Sequence, residues 1–101
     1  MATLYRPGFS ALPMEVTPKN GRDFGLKQLY ELLECDTIEV VRLDQETLMI
    51  IDEEGKIRVP PKPANALATT LWRKALLHFH KSQPYDWIAG NALVCKNSEL
   101  K

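Results

Sequence analysis

The chain has 101 residues, 45% of them apolar and 26% charged, and its 13 Lys and Arg balance its 13 Asp and Glu. That length suits one core and excludes a multidomain protein. The composition excludes a disordered or fibrous chain, and the interspersed, balanced charges disfavour nucleic acid or an anionic membrane as partner.

No apolar run approaches the roughly 18 residues of a membrane span, and the opening MATLYRPGFSALPMEV lacks the order of a secretory signal. A single domain over residues 1–101, cytoplasmic and off the membrane, is the expectation. Cys35 and Cys95 stand far apart among apolar neighbours, without the close pairing of a metal clip or redox motif. Buried reduced thiols fit this pattern better than a disulfide.

In chain order, residues 2–6 and 12–17 read as two short strands, with Pro7 and Pro13 pushing them toward edge positions or a bulged hairpin. Asn20 and Gly21 supply the backbone angles of a tight turn. Leu26, Leu29, Tyr30 and Leu33 then fall on one face of a helix over 26–34. Two strands follow at 37–43 and 47–52, joined by Asp44, Gln45 and Glu46 in a loop of hairpin length. After a turn at 52–55, where Gly55 is expected in the left-handed conformation, KIRV reads as a further short strand closing a meander at Pro60.

A long helix is expected from about Asn65 to His80, with Leu67, Leu71, Ala75 and Phe79 as its apolar stripe and Ala68, Trp72 and Leu76 widening it. WIAGNALVCK supplies a last strand. The sum is an α+β fold: a small mixed, largely antiparallel sheet of about five to six strands, with two helices on one face. In VVRL, LMII and ALVC consecutive residues are apolar, so both sheet faces need cover. With both helices on one face, the other is left to the N-terminal segment, a curled sheet edge or a second copy, which makes a homodimer an expected assembly.

PPKPANALATTLW carries the first candidate site. Asn65 is placed to cap the long helix. Asn65, Thr69 and Thr70 also stand at a helix start whose free N–H groups favour an anion, although the Gly-rich loop and Lys of phosphate-binding motifs are missing. In AGNA, Asn91 is a polar amide inside an apolar strand and must be satisfied by backbone or by something bound. If the last strand lies beside the helix start, Asn65, Thr69 and Asn91 would face one another across a small polar pocket for a small-molecule ligand.

Other chemistries find little support. His78 and His80, two apart on a helix, point in different directions and cannot chelate together, and Asp52, Glu53 and Glu54 are too few for a calcium loop. Ser10, Ser82 and Ser98 have no histidine at a recognisable spacing, and no metal, cofactor or catalytic residue is assigned. Tyr85 and Trp87 are expected to lie as an aromatic lid near Trp72. The enzymatic alternative is a carboxylate such as Asp86 acting with Asn91 in a cleft.

The order VTPKNGRDFGLKQLYELLECDTIEVVRL, MIIDEEGKI, PPKPANALATTLW and DWIAGNALVC resembles a family of small uncharacterised domains of unknown function found in bacteria, phages and conjugative elements. The similarity runs over about residues 12–97. It implies a compact α+β domain, an Asn-Ala-Thr segment opening the helix, matched by Asn65, Ala68 and Thr69, and an ending matched by Asp86, Ile88, Gly90, Ala92, Leu93 and Val94. The LWRKALLHFHKSQPY stretch before Asp86 is longer than that family's connection. No activity comes with the resemblance. The function expected from the whole sequence is an accessory binding or interaction domain, in its sharper form one that sequesters a small anionic or nucleotide-like ligand.

Overall fold

The structure, a computed structural model, describes residues 2–8, 11–80 and 86–100, without the side chains of 78–80. Expectations for the His78 and His80 side chains, and for Ser10, Ser82 and Tyr85, lie outside the described residues. The elements are β1 (Ala2–Tyr5), β2 (Met14–Val16), α1 (Leu26–Leu33), β3 (Ile38–Arg42), β4 (Thr47–Asp52), α2 (Ala66–His80), β5 (Ala92–Lys96) and a 3-10 turn at Asn97–Glu99. The strands form one antiparallel sheet in the order β2-β1-β5-β4-β3, so the α+β class and the antiparallel sheet are as expected.

Residues opposite one another in register share a face. Leu4, Leu93 and Ile50 stand opposite in one row and pack with Phe24 and with Leu29 and Leu33 of α1. Tyr5, Ala92 and Ile51 make the next row, on the opposite face, and belong to the cluster of Ala68, Leu71, Trp72 and Ala75 of α2. The helices therefore lie one on each face, not both on one. This corrects the expected layering and explains why β4 and β5 are apolar at successive positions. The uncovered apolar face that called for a second copy is taken by the other helix.

The helix stripes are narrower than expected. Leu29 and Leu33 are buried, but Leu26 is 53% exposed; on α2 Ala68 is buried while Leu67 is 50% exposed. α1 ends on Glu34, which takes a left-handed conformation (φ 53°), and the Cys35 N–H donates to the Tyr30 carbonyl at 3.1 Å, a Schellman closure.

The turns follow their side chains. The Asn20 Oδ1 accepts from the N–H groups of Arg22 (2.8 Å) and Asp23 (2.9 Å), with Gly21 at φ 78°. The Asp44 Oδ1 accepts from Glu46 (2.9 Å) and Thr47 (2.8 Å) in the β3–β4 hairpin. KIRV is not a strand: the N–H groups of Ile57 and Arg58 both bond back to the Glu54 carbonyl at 3.1 Å, leaving Ile57 75% and Val59 97% exposed. Gly55 also differs from expectation. It is not among the positive-φ glycines; it is needed because an added Cβ would stand 2.9 Å from the Ala89 carbonyl oxygen.

Candidate functional site

Asn65 precedes α2 and is almost wholly buried. Its Oδ1 accepts from the Ala68 N–H at 3.1 Å, the N-cap bond expected of an asparagine here. Its Nδ2 donates to the carbonyls of Tyr5 (3.0 Å) and Gly90 (2.9 Å). One amide thus ties the start of α2 to the end of β1 and to the segment leading into β5. Backbone bonds reinforce the tie, from the Asn65 N–H to the Ile88 carbonyl and from the Gly90 N–H to the Pro63 carbonyl, both 2.8 Å. The buried Thr69 hydroxyl accepts from the Ile88 N–H at 2.9 Å, and the exposed Thr70 hydroxyl turns back to the Ala66 carbonyl at 2.9 Å.

Asn91 serves the other helix. Its Nδ2 donates to the Leu32 carbonyl (2.9 Å) and to the Glu34 carboxylate (3.3 Å). The Lys62 Nζ donates to the Leu33 carbonyl (2.9 Å) and the Glu34 carbonyl (2.8 Å). Together they occupy carbonyls that the last turn of α1 leaves without intrahelical donors. Asn65 and Asn91 are therefore brought close in space, the Asn65 amide reaching the Gly90 carbonyl, but their side chains serve helices on opposite faces of the sheet, and the expected pocket in which they and Thr69 face one another does not form.

Lys62 also pairs with Asp52 at 2.9 Å, as does the Arg58 Nε at 2.5 Å. Arg58 reaches the exposed Asp36 as well, at 3.1 Å. The Asp52 side chain has no exposed surface. Burial pushes its pKa up, but the bonds from Arg58, Lys62 and the Glu54 N–H outweigh that and hold it at about 2. Asp52 is thus a saturated structural anion. The Cys95 thiol is pushed up to about 11, first by burial and then by Glu99. Both cysteines are free thiols, with Cys95 buried and Cys35 half-buried.

Two clefts meet where α2 begins. One, of about 500 Å³, is lined by Arg6, Gly8, Ala11, Pro63 and residues 64–67; the other, of about 330 Å³, adds Glu34, Lys62, Gly90 and Asn91 to Arg6. The Arg6 guanidinium makes no ion pair or hydrogen bond among the described residues. Ala66 and Leu67, the first helical residues, have N–H groups that find no protein acceptor there.

A third cleft, of about 370 Å³, lies between β3 and α2. Trp72 and Leu76 stand on one side, Glu39, Val41 and Arg42 on the other, with Lys56, Asp86 and Trp87 at its end. Trp72 and Trp87 line the same cleft; Tyr85, the other member of the expected aromatic lid, lies outside the described residues. Lys56 pairs with Asp86 and sits 5.1 Å from the centre of the Trp87 ring. The Lys56 hydrogen bond, then the Trp87 N–H, holds the Asp86 carboxyl below its ordinary value. Asp86 and Asn91 line different clefts, so those two are not paired; the carboxylate that stands beside Asn91 is that of Glu34, at 3.3 Å.

Arg6, Lys62 and Asp52 were not among the expected site residues. Asp52 had a readable signal, an acid ending an apolar strand, as did Lys62, a lone cation between prolines. Arg6 had none, because only the fold brings it to the same cleft as residues 63–67, about sixty positions along the chain. Among the described residues no helix is long and apolar enough to cross a membrane, and no group of three or more His, Cys, Asp or Glu could hold a metal.

Neither the curated proteins nor the solved structures yield a match. A family model described as Domain of unknown function (DUF3846) matches residues 4–100. Because that match runs from β1 to the final 3-10 turn and takes in both asparagine-bearing segments that brace the sheet, the chain belongs to this family of domains of unknown function.

Proposed function

We propose that the domain is a non-enzymatic binding module that takes a small anionic, nucleotide-like ligand at the start of α2. The observation that carries this is Arg6, an exposed cation with no partner among the described residues, lining both clefts that open at that helix start. Unbonded amides at the first turn and the positive end of the helix dipole favour negative charge there, and the half-exposed Leu67 offers an apolar wall beside it. Asn65 acts indirectly, by capping α2 and fixing its position. Asn91 lines one of the two clefts, Thr69 lines neither and holds the Ile88 N–H, and Thr70 stands one turn into the helix. A second copy is not required. On the resemblance drawn from the sequence, the setting is the reducing cytoplasm of a bacterium or of a host to a mobile element.

Thermal shift with nucleoside mono-, di- and triphosphates and inorganic phosphate tests this. A ligand at a hundredfold its Kd adds about 2.7 kcal/mol, which for a domain of this size raises the Tm by on the order of 10 °C. Arg6→Gln, a surface change that leaves the unliganded Tm nearly unaltered, abolishes the shift. Absence of a shift with every anion at millimolar concentration, or an undiminished shift in Arg6→Gln, overturns the proposal.

A further inference from the structure

The third cleft is a separate feature, and its walls differ in kind from the anion-favouring helix start. One wall is the outermost strand: β3 pairs with β4 alone and ends the sheet order. Its outer row of backbone N–H and C=O groups has no partner strand among the described residues, which makes it a template for an added strand. The opposite wall is apolar and aromatic, with Trp72 and Leu76 of α2.

Charge then narrows the occupant. Arg42, the basic residue of β3, is already bound, its Nη1 donating to the carbonyls of Asp44 (3.3 Å) and Gln45 (3.1 Å) and to the Asn97 side chain (3.2 Å). Asp86 is bound to Lys56 and Asp52 to Arg58 and Lys62. Glu39 and Glu53 remain, two exposed carboxylates on the cleft with no ion pair among the described residues. The cleft also seats a cation of its own, Lys56, against the face of Trp87.

We propose that this cleft binds an extended basic peptide segment, which adds as a strand to the free edge of β3. Such recognition takes affinity from main-chain hydrogen bonds and specificity from alternate side chains. Register supplies the motif. Glu39 and Val41 face the cleft, because they stand opposite Ile51 and Met49 of the α2-side cluster. A strand running antiparallel to β3 places an apolar residue beside Val41, Trp72 and Leu76, and a lysine or arginine two positions later beside Glu39. The occupant is thus an extended segment with an apolar residue followed, after one residue, by a basic one.

Both tryptophans of the chain line this cleft, so intrinsic fluorescence reports on it directly. The probe is a threonine-based peptide of about nine residues carrying one leucine and, two positions on, one lysine. Three controls replace the lysine by glutamate, replace the residue between them by proline, or reverse the order of leucine and lysine. The expected result is a saturable fluorescence change with the probe, weakened at least tenfold by glutamate or proline in the peptide and by Glu39→Lys in the protein. Glu39 is exposed, so that variant keeps the wild-type Tm and isolates recognition from folding. Equal affinity for the glutamate or proline peptide, undiminished binding by Glu39→Lys, or no saturable change at millimolar probe overturns the proposal. So does a dimer in sedimentation that Glu39→Lys dissociates, since β3 is then already covered by a second copy. The reversed peptide binding as well as the probe overturns the antiparallel register.

Discussion

Replacing Asn65 by Ala removes an amide that does three things at once. It deletes the N-cap bond to Ala68 (3.1 Å) and strips the Tyr5 and Gly90 carbonyls of the donors that reach them at 3.0 and 2.9 Å. Losing the cap costs about 1 kcal/mol, and each of the two carbonyls, one buried and one part-buried, costs about 1 kcal/mol when it loses this donor. The expected loss is therefore about 3 kcal/mol, a large share of the roughly 5–15 kcal/mol that keeps a domain folded. In a thermal melt this lowers Tm by on the order of 12–24 °C.

Asn65→Asp separates the parts, since aspartate caps as well as asparagine but presents a second oxygen to two carbonyls. At neutral pH it is at least as unstable as the alanine variant. Burial and the facing carbonyls raise the pKa of that new carboxyl above its unfolded value. The protonated form's advantage is then fully present below the unfolded pKa and is lost as pH rises through the folded one, so its deficit relative to wild type shrinks in acid. Urea titrations at several pH values read this directly. If Asn65→Ala lies within about 1 kcal/mol of wild type, the amide is not the brace described here.

Asp52 carries a second prediction, of opposite sign. Its pKa is depressed from 3.8 to about 2, so its contribution of about 2 kcal/mol is present above the ordinary value and lost as pH falls through the folded one. Between about pH 4 and pH 2 wild type should lose more stability than Arg58→Gln, by less than that full amount because Lys62 and the Glu54 N–H still hold the carboxyl down in the variant; parallel curves refute the assignment. The thiols supply a third. Burial raises the Cys95 thiol to about 11 and also raises half-buried Cys35, so at pH 8 a thiol-reactive chromophore labels Cys35 first and Cys95 only on unfolding. Rapid labelling of both in the native protein would contradict that order.

Local chemistry made much of this protein legible in its sequence. Leu29 and Leu33 recur at helical spacing, Asn20 with Gly21 and Asp44 each bond their own neighbours, and Asn65 stands where a cap must stand; each statement concerns partners a few residues away. The doubly apolar β4 and β5 stated that both sheet faces are covered, without saying by what. Assigning one helix to each face depends on how the chain crosses the sheet, which periodicity within an element does not encode. The polar sites were harder still. Tyr5 accepts from a side chain 60 positions away, Leu32 from one 59 away and Leu33 from one 29 away, so only the folded chain showed that Asn65 and Asn91 brace opposite helices. Arg58, too, reads as part of a strand until Asp52 is buried beneath it, because a desolvated carboxylate draws its cations whatever the local strand propensity. Local hydrogen bonds and side-chain spacing set the elements; desolvation, acting between distant segments, decided which polar groups met.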